Sequence, residues 1–182
     1  MGAEHPNVAT TYNNMACVLR AQGAFDQAME LYEKSLAIKL ATLGAKHPDV
    51  ATTYGNMAIV LSSQGAFDRA MELYEKVLAI ELDTLGAKHP NVAKTYNDMA
   101  NVLGAQGAFD QAMKMHEKCL AIQLDALGAE HPNVATTYNN MACVLRAQGA
   151  FDQAMELYEK SLAIKLATLG AKHPDVATTY GN

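Results

Sequence analysis

The sequence predicts an all-α fold, an array of stacked antiparallel helix pairs, and three observations predict it. The dipeptide His-Pro recurs at His5-Pro6, His47-Pro48, His89-Pro90, His131-Pro132 and His173-Pro174, always 42 residues on. Each period carries two apolar stripes with the spacing of a helix. No segment shows the strict alternation of a half-buried strand. Units that cannot bury their own apolar face must bury it against a neighbour, which is the logic of a stacked array.

The units run 2–43, 44–85, 86–127 and 128–169, followed by a partial unit 170–182, and all belong to one array. In the first, Pro6 suits the opening turn of a helix, where its missing N–H is no loss. Val8, Tyr12, Met15 and Leu19 then form an apolar stripe, and Gly23 ends the helix near Gln22. A second stripe follows in Phe25, Ala28, Tyr32, Leu36 and Leu40, with Asp26 in the first turn, where a carboxylate favours the helix dipole. Gly44 closes that helix and His47-Pro48 opens the next unit. Small residues recur where helices are expected to approach closely: Ala16, Ala28 and Ala37, then Ala58, Ala70 and Ala79. Met15, Met57, Met99 and Met141 fall on the predicted core stripe and read as packing residues.

Bulk properties narrow the function. Half of the 182 residues are hydrophobic, enough for a continuous core. A net charge of −5 and the lack of any run of five basic residues argue against nucleic acid. No apolar stretch reaches membrane-spanning length, and Met1-Gly2 leads into a repeat without a signal-peptide pattern. Pro6 at the usual Ser/Thr position rules out a myristoylation signal. Three cysteines, Cys17, Cys119 and Cys143, are an odd number with no extracellular context, so reduced thiols and a cytoplasmic location are expected.

The segment YNNMACVLRAQGAFDQAMELYEKSLAI resembles a tetratricopeptide repeat. Its small residue in the first helix (Ala16), its turn (Gly23, Phe25, Ala28) and its second-helix aromatic (Tyr32) fall in that register. Ordinary members repeat every ~34 residues and carry a proline at the end of the second helix. Here Leu40 stands near that proline's place and LGAKHPDVATT adds length, a variant similar to the repeats of kinesin light chains. The resemblance covers essentially the whole chain. It implies a right-handed superhelical solenoid whose first helices line a concave groove that holds peptides or partner proteins.

The units can be compared among themselves. Within the first helix, the positions of Thr10, Asn13, Asn14, Cys17, Arg20 and Ala21 differ among the first three units. At about 100° per residue they span an arc of roughly 120°. The constant positions, including Val8, Ala9, Thr11, Tyr12, Met15, Ala16, Val18, Leu19 and Gln22, fill the opposite arc and are expected to be fixed by packing. The variable arc is either a solvated face that drifts or a face that reads a ligand. The resemblance favours the second, with Asn13, Asn14, Arg20, Asn56, Ile59, Lys94, Asn97, Asp98, Asn101, Asn139, Asn140 and Arg146 as candidate groove residues. Asn14, Asn56 and Asn140 would form a ladder of amides offering donors and an acceptor to an extended backbone, interrupted by Asp98. Arg20, Lys94 and Arg146 make an acidic peptide the expected partner.

No catalytic constellation is present: there is no phosphate loop, zinc spacing or nucleophile elbow. The regularly spaced histidines read as helix caps, one per layer, instead of converging metal ligands. His116, where other units have tyrosine, reads as a packing substitution. No enzyme activity, cofactor or metal is expected. Residues 2–56 are identical to 128–182, and the array stops inside a first helix without a polar cap. End-to-end association between molecules is therefore expected, and a purely structural, self-stacking role is the alternative to a peptide-binding scaffold.

Overall fold

The structure, a computed structural model, describes residues 5–169. The fifth His-Pro pair and the partial unit 170–182 lie outside the described residues. The described chain is eight α-helices and no strand: α1 Pro6–Ala21, α2 Phe25–Leu43, α3 Pro48–Ser63, α4 Phe67–Leu85, α5 Pro90–Gln106, α6 Phe109–Leu127, α7 Pro132–Ala147 and α8 Phe151–Leu169. They fall into two compact units, Met1–Gly86 with α1 to α4 and Ala87–Asn182 with α5 to α8.

Local chemistry sets each boundary. At every first-helix start a histidine caps the helix: Nδ1 of His5, His47, His89 and His131 accepts from the amide two residues on, at 3.1–3.2 Å. Proline follows at the first helical position, so one orphan donor is absent and another is satisfied. The turn between paired helices needs a residue with φ near +80°, and Gly23 supplies it at φ 77°. Gly23 N–H then donates to Arg20 O and Ala24 N–H to Leu19 O, which closes the last turn of α1.

In unit 1, α1 packs on α2, α3 on α4, and α2 on α3. Ala16 of α1, Ala28 and Tyr32 of α2 and Met57 and Val60 of α3 form one buried cluster. Val50, Ala51, Val77 and Ile80 form a second between α3 and α4. Alanines at 16, 28, 58 and 70 are fully buried and allow the close approach of paired helices. Unit 2 repeats the scheme, with α6 between α5 and α7, and with Ala142, Leu145, Ala154 and Tyr158 as a cluster in its last pair.

Several sequence expectations change. Ala37 and Ala79 are exposed, so only the first two small positions of each unit serve close packing. Leu40 is exposed, as are Leu82, Leu124 and Leu166 at the same place in later units. Met57, Met99 and Met141 are buried, but Met15 and Val18 face outwards. The invariant glutamine is not a packing residue either. Gln64 donates to Asp26 Oδ1 (3.1 Å) and Gln148 to Asp110 Oδ1 (2.9 Å), so this exposed amide links a first helix to the second helix of the preceding layer.

Lys39, Gln123 and Ser35 show how polar groups inside the stack are paired. Lys39 Nζ donates to Thr53 Oγ1 (2.8 Å) and Asp49 O (3.2 Å), and burial holds its ammonium below the usual lysine range. In unit 2 the equivalent Gln123 Oε1 accepts from Thr137 Oγ1 at 2.8 Å. Ser35 Oγ donates to Ala9 O at 2.7 Å inside the first pair.

Candidate functional site

The candidate face is built by the first helices, α1 and α3 in unit 1 and α5 and α7 in unit 2. None of the twelve candidate residues is buried between layers. Asn14, Lys94, Asn101 and Arg146 are exposed; Asn13, Arg20, Asn56, Ile59, Asn97, Asp98, Asn139 and Asn140 are half-buried.

The amides are not a ladder of like positions. Asn56 Nδ2 donates to Asn13 Oδ1 at 3.3 Å, and Asn140 Nδ2 donates to Asn97 Oδ1 at 3.0 Å. Both partners lie 43 residues apart, one more than the repeat, because two consecutive positions about 100° apart flank the variable arc, and the 13-type flank of one first helix meets the 14-type flank of the next. Each pair engages one donor and one acceptor with itself. The remaining carbonyl of Asn56 or Asn140 and the second N–H bonds are what a ligand could use.

A thiol and a phenol complete the unit 1 face. Tyr32 Oη donates to Cys17 Sγ at 3.3 Å, and Asn13 and Asn56 Nδ2 approach the same sulfur at 3.9 Å. Burial, together with the contact to Cys17, pushes the Tyr32 phenol up to about 12. The last pair of unit 2 repeats this with Cys143 and Tyr158, 3.3 Å apart, and burial again pushes the phenol up to about 12.

The first pair of unit 2 departs from that plan. Asn101 stands where α1 has Cys17, Gly104 where it has Arg20, and His116 where α2 has Tyr32. Gly for Arg and His for Tyr remove side-chain volume here, and a hollow of about 230 Å³ lies beside Asn101, Gly104 and His116, bounded also by Phe109, Asn140 and Cys143. His116 is buried, its Nδ1 has no hydrogen-bond partner, and burial pushes the imidazole down to about 4. A packing substitution is thus what His116 is, but one that leaves space. A second hollow of about 350 Å³ lies nearer the starts of α5 and α7, lined by Lys94, Asn97, Gln123 and Thr136 among others. The two hollows flank the Asn97–Asn140 pair.

The positive charge is smaller than the sequence suggests. Lys94 Nζ lies 2.7 Å from Asp98 Oδ2, one helical turn away, which neutralises it locally. The Arg20 guanidinium is half-buried, with Nε shielded from solvent and unpaired.

Sequence reasoning placed Cys17 and Gly104 on the variable arc without making them candidates, and passed over Tyr32 and Cys143. One signal was available: three departures from the repeat (Asn101, Gly104, His116) concentrated in a single unit. Among the described residues, no group of three or more His, Cys, Asp or Glu is placed to hold a metal ion. All three cysteines are free, and burial pushes the Cys119 thiol up, which keeps it protonated. Among the described residues no helix is long and apolar enough to cross a membrane.

The tetratricopeptide repeat family model matches residues 8–83, 49–125 and 91–167. The chain belongs to the tetratricopeptide repeat family. No curated protein sequence matches it. Similar solved structures include BtubC (BKLC) from P. vanneervenii, at 28% identity and a TM-score of 0.82, covering 93% of this chain and 68% of that one. The nearly identical TPR-like repeats assigned to a kinesin light chain of Podosopora anserina match at 30% identity and a TM-score of 0.79, over 92% of this chain and 80% of that one. A single-substitution variant of that protein matches at 30% identity and a TM-score of 0.81, over 93% and 80%. This tetratricopeptide repeat protein thus has the kinesin-light-chain-like repeat, and such repeats generally serve as protein-interaction scaffolds.

Proposed function

We propose that the protein is a scaffold that holds an extended peptide of a partner protein against the paired first helices of each unit. The observation that carries the reading is the state of the variable arc: twelve side chains at positions that differ among the first three layers, none of them committed to the core. In unit 2 two hollows open on that arc and supply concave surface on either side of an amide pair. Binding, not catalysis, is the reading, since the polar groups of the face are amides, thiols and hydroxyls without an activated nucleophile.

An acidic segment suits the Arg20 guanidinium, whereas Lys94 is engaged by Asp98. The net charge of −5 favours neither nucleic acid nor an anionic membrane as partner. Three free thiols fit a reducing, cytoplasmic setting.

The test is a peptide array probed with the wild-type chain and with the Asn56→Ala, Asn140→Ala double variant. The variant should bind at least about tenfold more weakly, a loss of roughly 1.4 kcal/mol. Its Tm should fall only a few degrees, the price of about 1 kcal/mol for each amide pair. Equal binding by the two proteins refutes the reading.

A further inference from the structure

We propose that the hollow beside His116 in unit 2 is a binding site for a free monocyclic phenol, a small molecule whose ring replaces the one that the α5–α6 pair lacks. The site needs no peptide partner, so it stands or falls apart from the scaffold reading.

The same fold buries a phenol at the equivalent place in other pairs. Tyr32 is 0% exposed and Tyr158 7%, each with its hydroxyl oxygen 3.3 Å from a thiol on the paired first helix. The α5–α6 pair has His116 there instead, with the hollow of about 230 Å³ beside it. An apolar cavity of ~150 Å³ accepts benzene, so this volume accommodates a ring with a hydroxyl and one small substituent.

The lining suits a neutral aromatic. Phe109, Ala100 and Val144 supply apolar wall, and among the described residues no Asp, Glu, Lys or Arg lines the hollow. An ion would shed hydration there without meeting an opposite charge. The lining also holds an unmet hydrogen-bonding group. His116 is 1% exposed and its Nδ1 has no partner. Burial keeps this imidazole neutral at pH 7. A phenol hydroxyl serves either neutral tautomer, donating to a bare Nδ1 or accepting from a protonated one. A hydrocarbon of the same shape leaves the nitrogen unpaired.

Two-dimensional NMR on the full chain, titrated with p-cresol, reads the site directly. Binding should saturate with a Kd near or below about 1 mM, the scale open to a ligand of so few atoms, and the His116 imidazole signals should shift most. Toluene, which lacks only the hydroxyl, should bind at least about tenfold more weakly. Two variants fill the hollow with residues that the repeat already uses. His116→Tyr copies Tyr32, and Gly104→Arg copies Arg20; a Cβ at position 104 meets only Val144 Cγ2, at an ordinary 3.9 Å. Both should fold, as circular dichroism will check, and both should bind p-cresol at least about tenfold more weakly than the wild type. A wild type that shows no saturable shift up to about 10 mM p-cresol overturns the proposal. Toluene binding as tightly as p-cresol overturns it too, since the hollow would then be a plain apolar cavity. So does undiminished p-cresol binding in the folded variants, which would put the phenol elsewhere.

Discussion

Between α1, α2 and α3 a phenol, a thiol and two amides close the candidate face of unit 1. Between α5, α6 and α7 the same place in unit 2 is a hollow of about 230 Å³ over a buried imidazole. The packed side of α3 in unit 1 nonetheless recurs on α7 in unit 2: Val50 and Val134, Met57 and Met141, Leu61 and Leu145 are buried alike. The difference comes from three positions, Cys17, Arg20 and Tyr32 against Asn101, Gly104 and His116. It teaches how a repeat array acquires local identity. Substitutions on the variable arc, and at the one second-helix position that reaches beneath it, reshape a surface without altering the seam between layers.

The strongest way to break the comparison is to attack what the units share. Leu61→Asp and Leu103→Asp each place a carboxylate at a buried seam position. Each should destabilise the protein by about 4 kcal/mol or more, read by urea denaturation, and the two losses should be similar. A much milder effect in one unit would mean that the seams are not equivalent.

Acid titration separates the units next. The His116 imidazole sits near 4 when folded, against 6.5 ordinarily, so between these values the unfolded chain binds the proton first. Its contribution to stability is full above about pH 6.5 and is lost as pH falls towards 4, by about 3 kcal/mol in all. Unfolding at several pH values should show this slope in the wild type. His116→Tyr should remove that part of it, whereas an unchanged slope would remove the imidazole from the account.

Tyr32→His sharpens the same contrast from the other side. It deletes a buried phenol that reaches Cys17 and should destabilise the protein by roughly 2–3 kcal/mol, measured by denaturant midpoint. The smallest effect belongs to the seam polar pair. Lys39→Gln copies the Gln123 arrangement of unit 2 and should change stability by less than about 1 kcal/mol, since either side chain can pair with the threonine opposite.

The helices were legible in the sequence to within about one residue. Pro6 and Gly23 act through their own backbone geometry, so they mark boundaries wherever the chain goes. The buried stripe through Val50, Met57, Val60 and Leu61 followed from angular position around the helix. What failed was anything that depends on which flanks of neighbouring helices face each other. Periodicity put Asn14, Asn56 and Asn140 in one row, but opposing flanks pair Asn56 with Asn13 and Asn140 with Asn97. It also hid the reach of Gln64 to Asp26, so a constant polar residue was taken for a packed one. Exposure of Met15 and Val18 escaped for a different reason: the repeat pattern assigns every unit the same surroundings, whereas α1 does not share those of α3.

The capping histidines carry a chemical consequence of their own. Because Nδ1 of His5, His47, His89 and His131 accepts an amide hydrogen, the neutral ring must hold its proton on Nε2. A divalent ion at Nε2 would force that proton across to Nδ1, turning an acceptor into a second donor facing the amide. The start of each first helix is thereby set against metal coordination, and an imidazole-rich chain is left with side chains that resist chelation for as long as their helices stay wound.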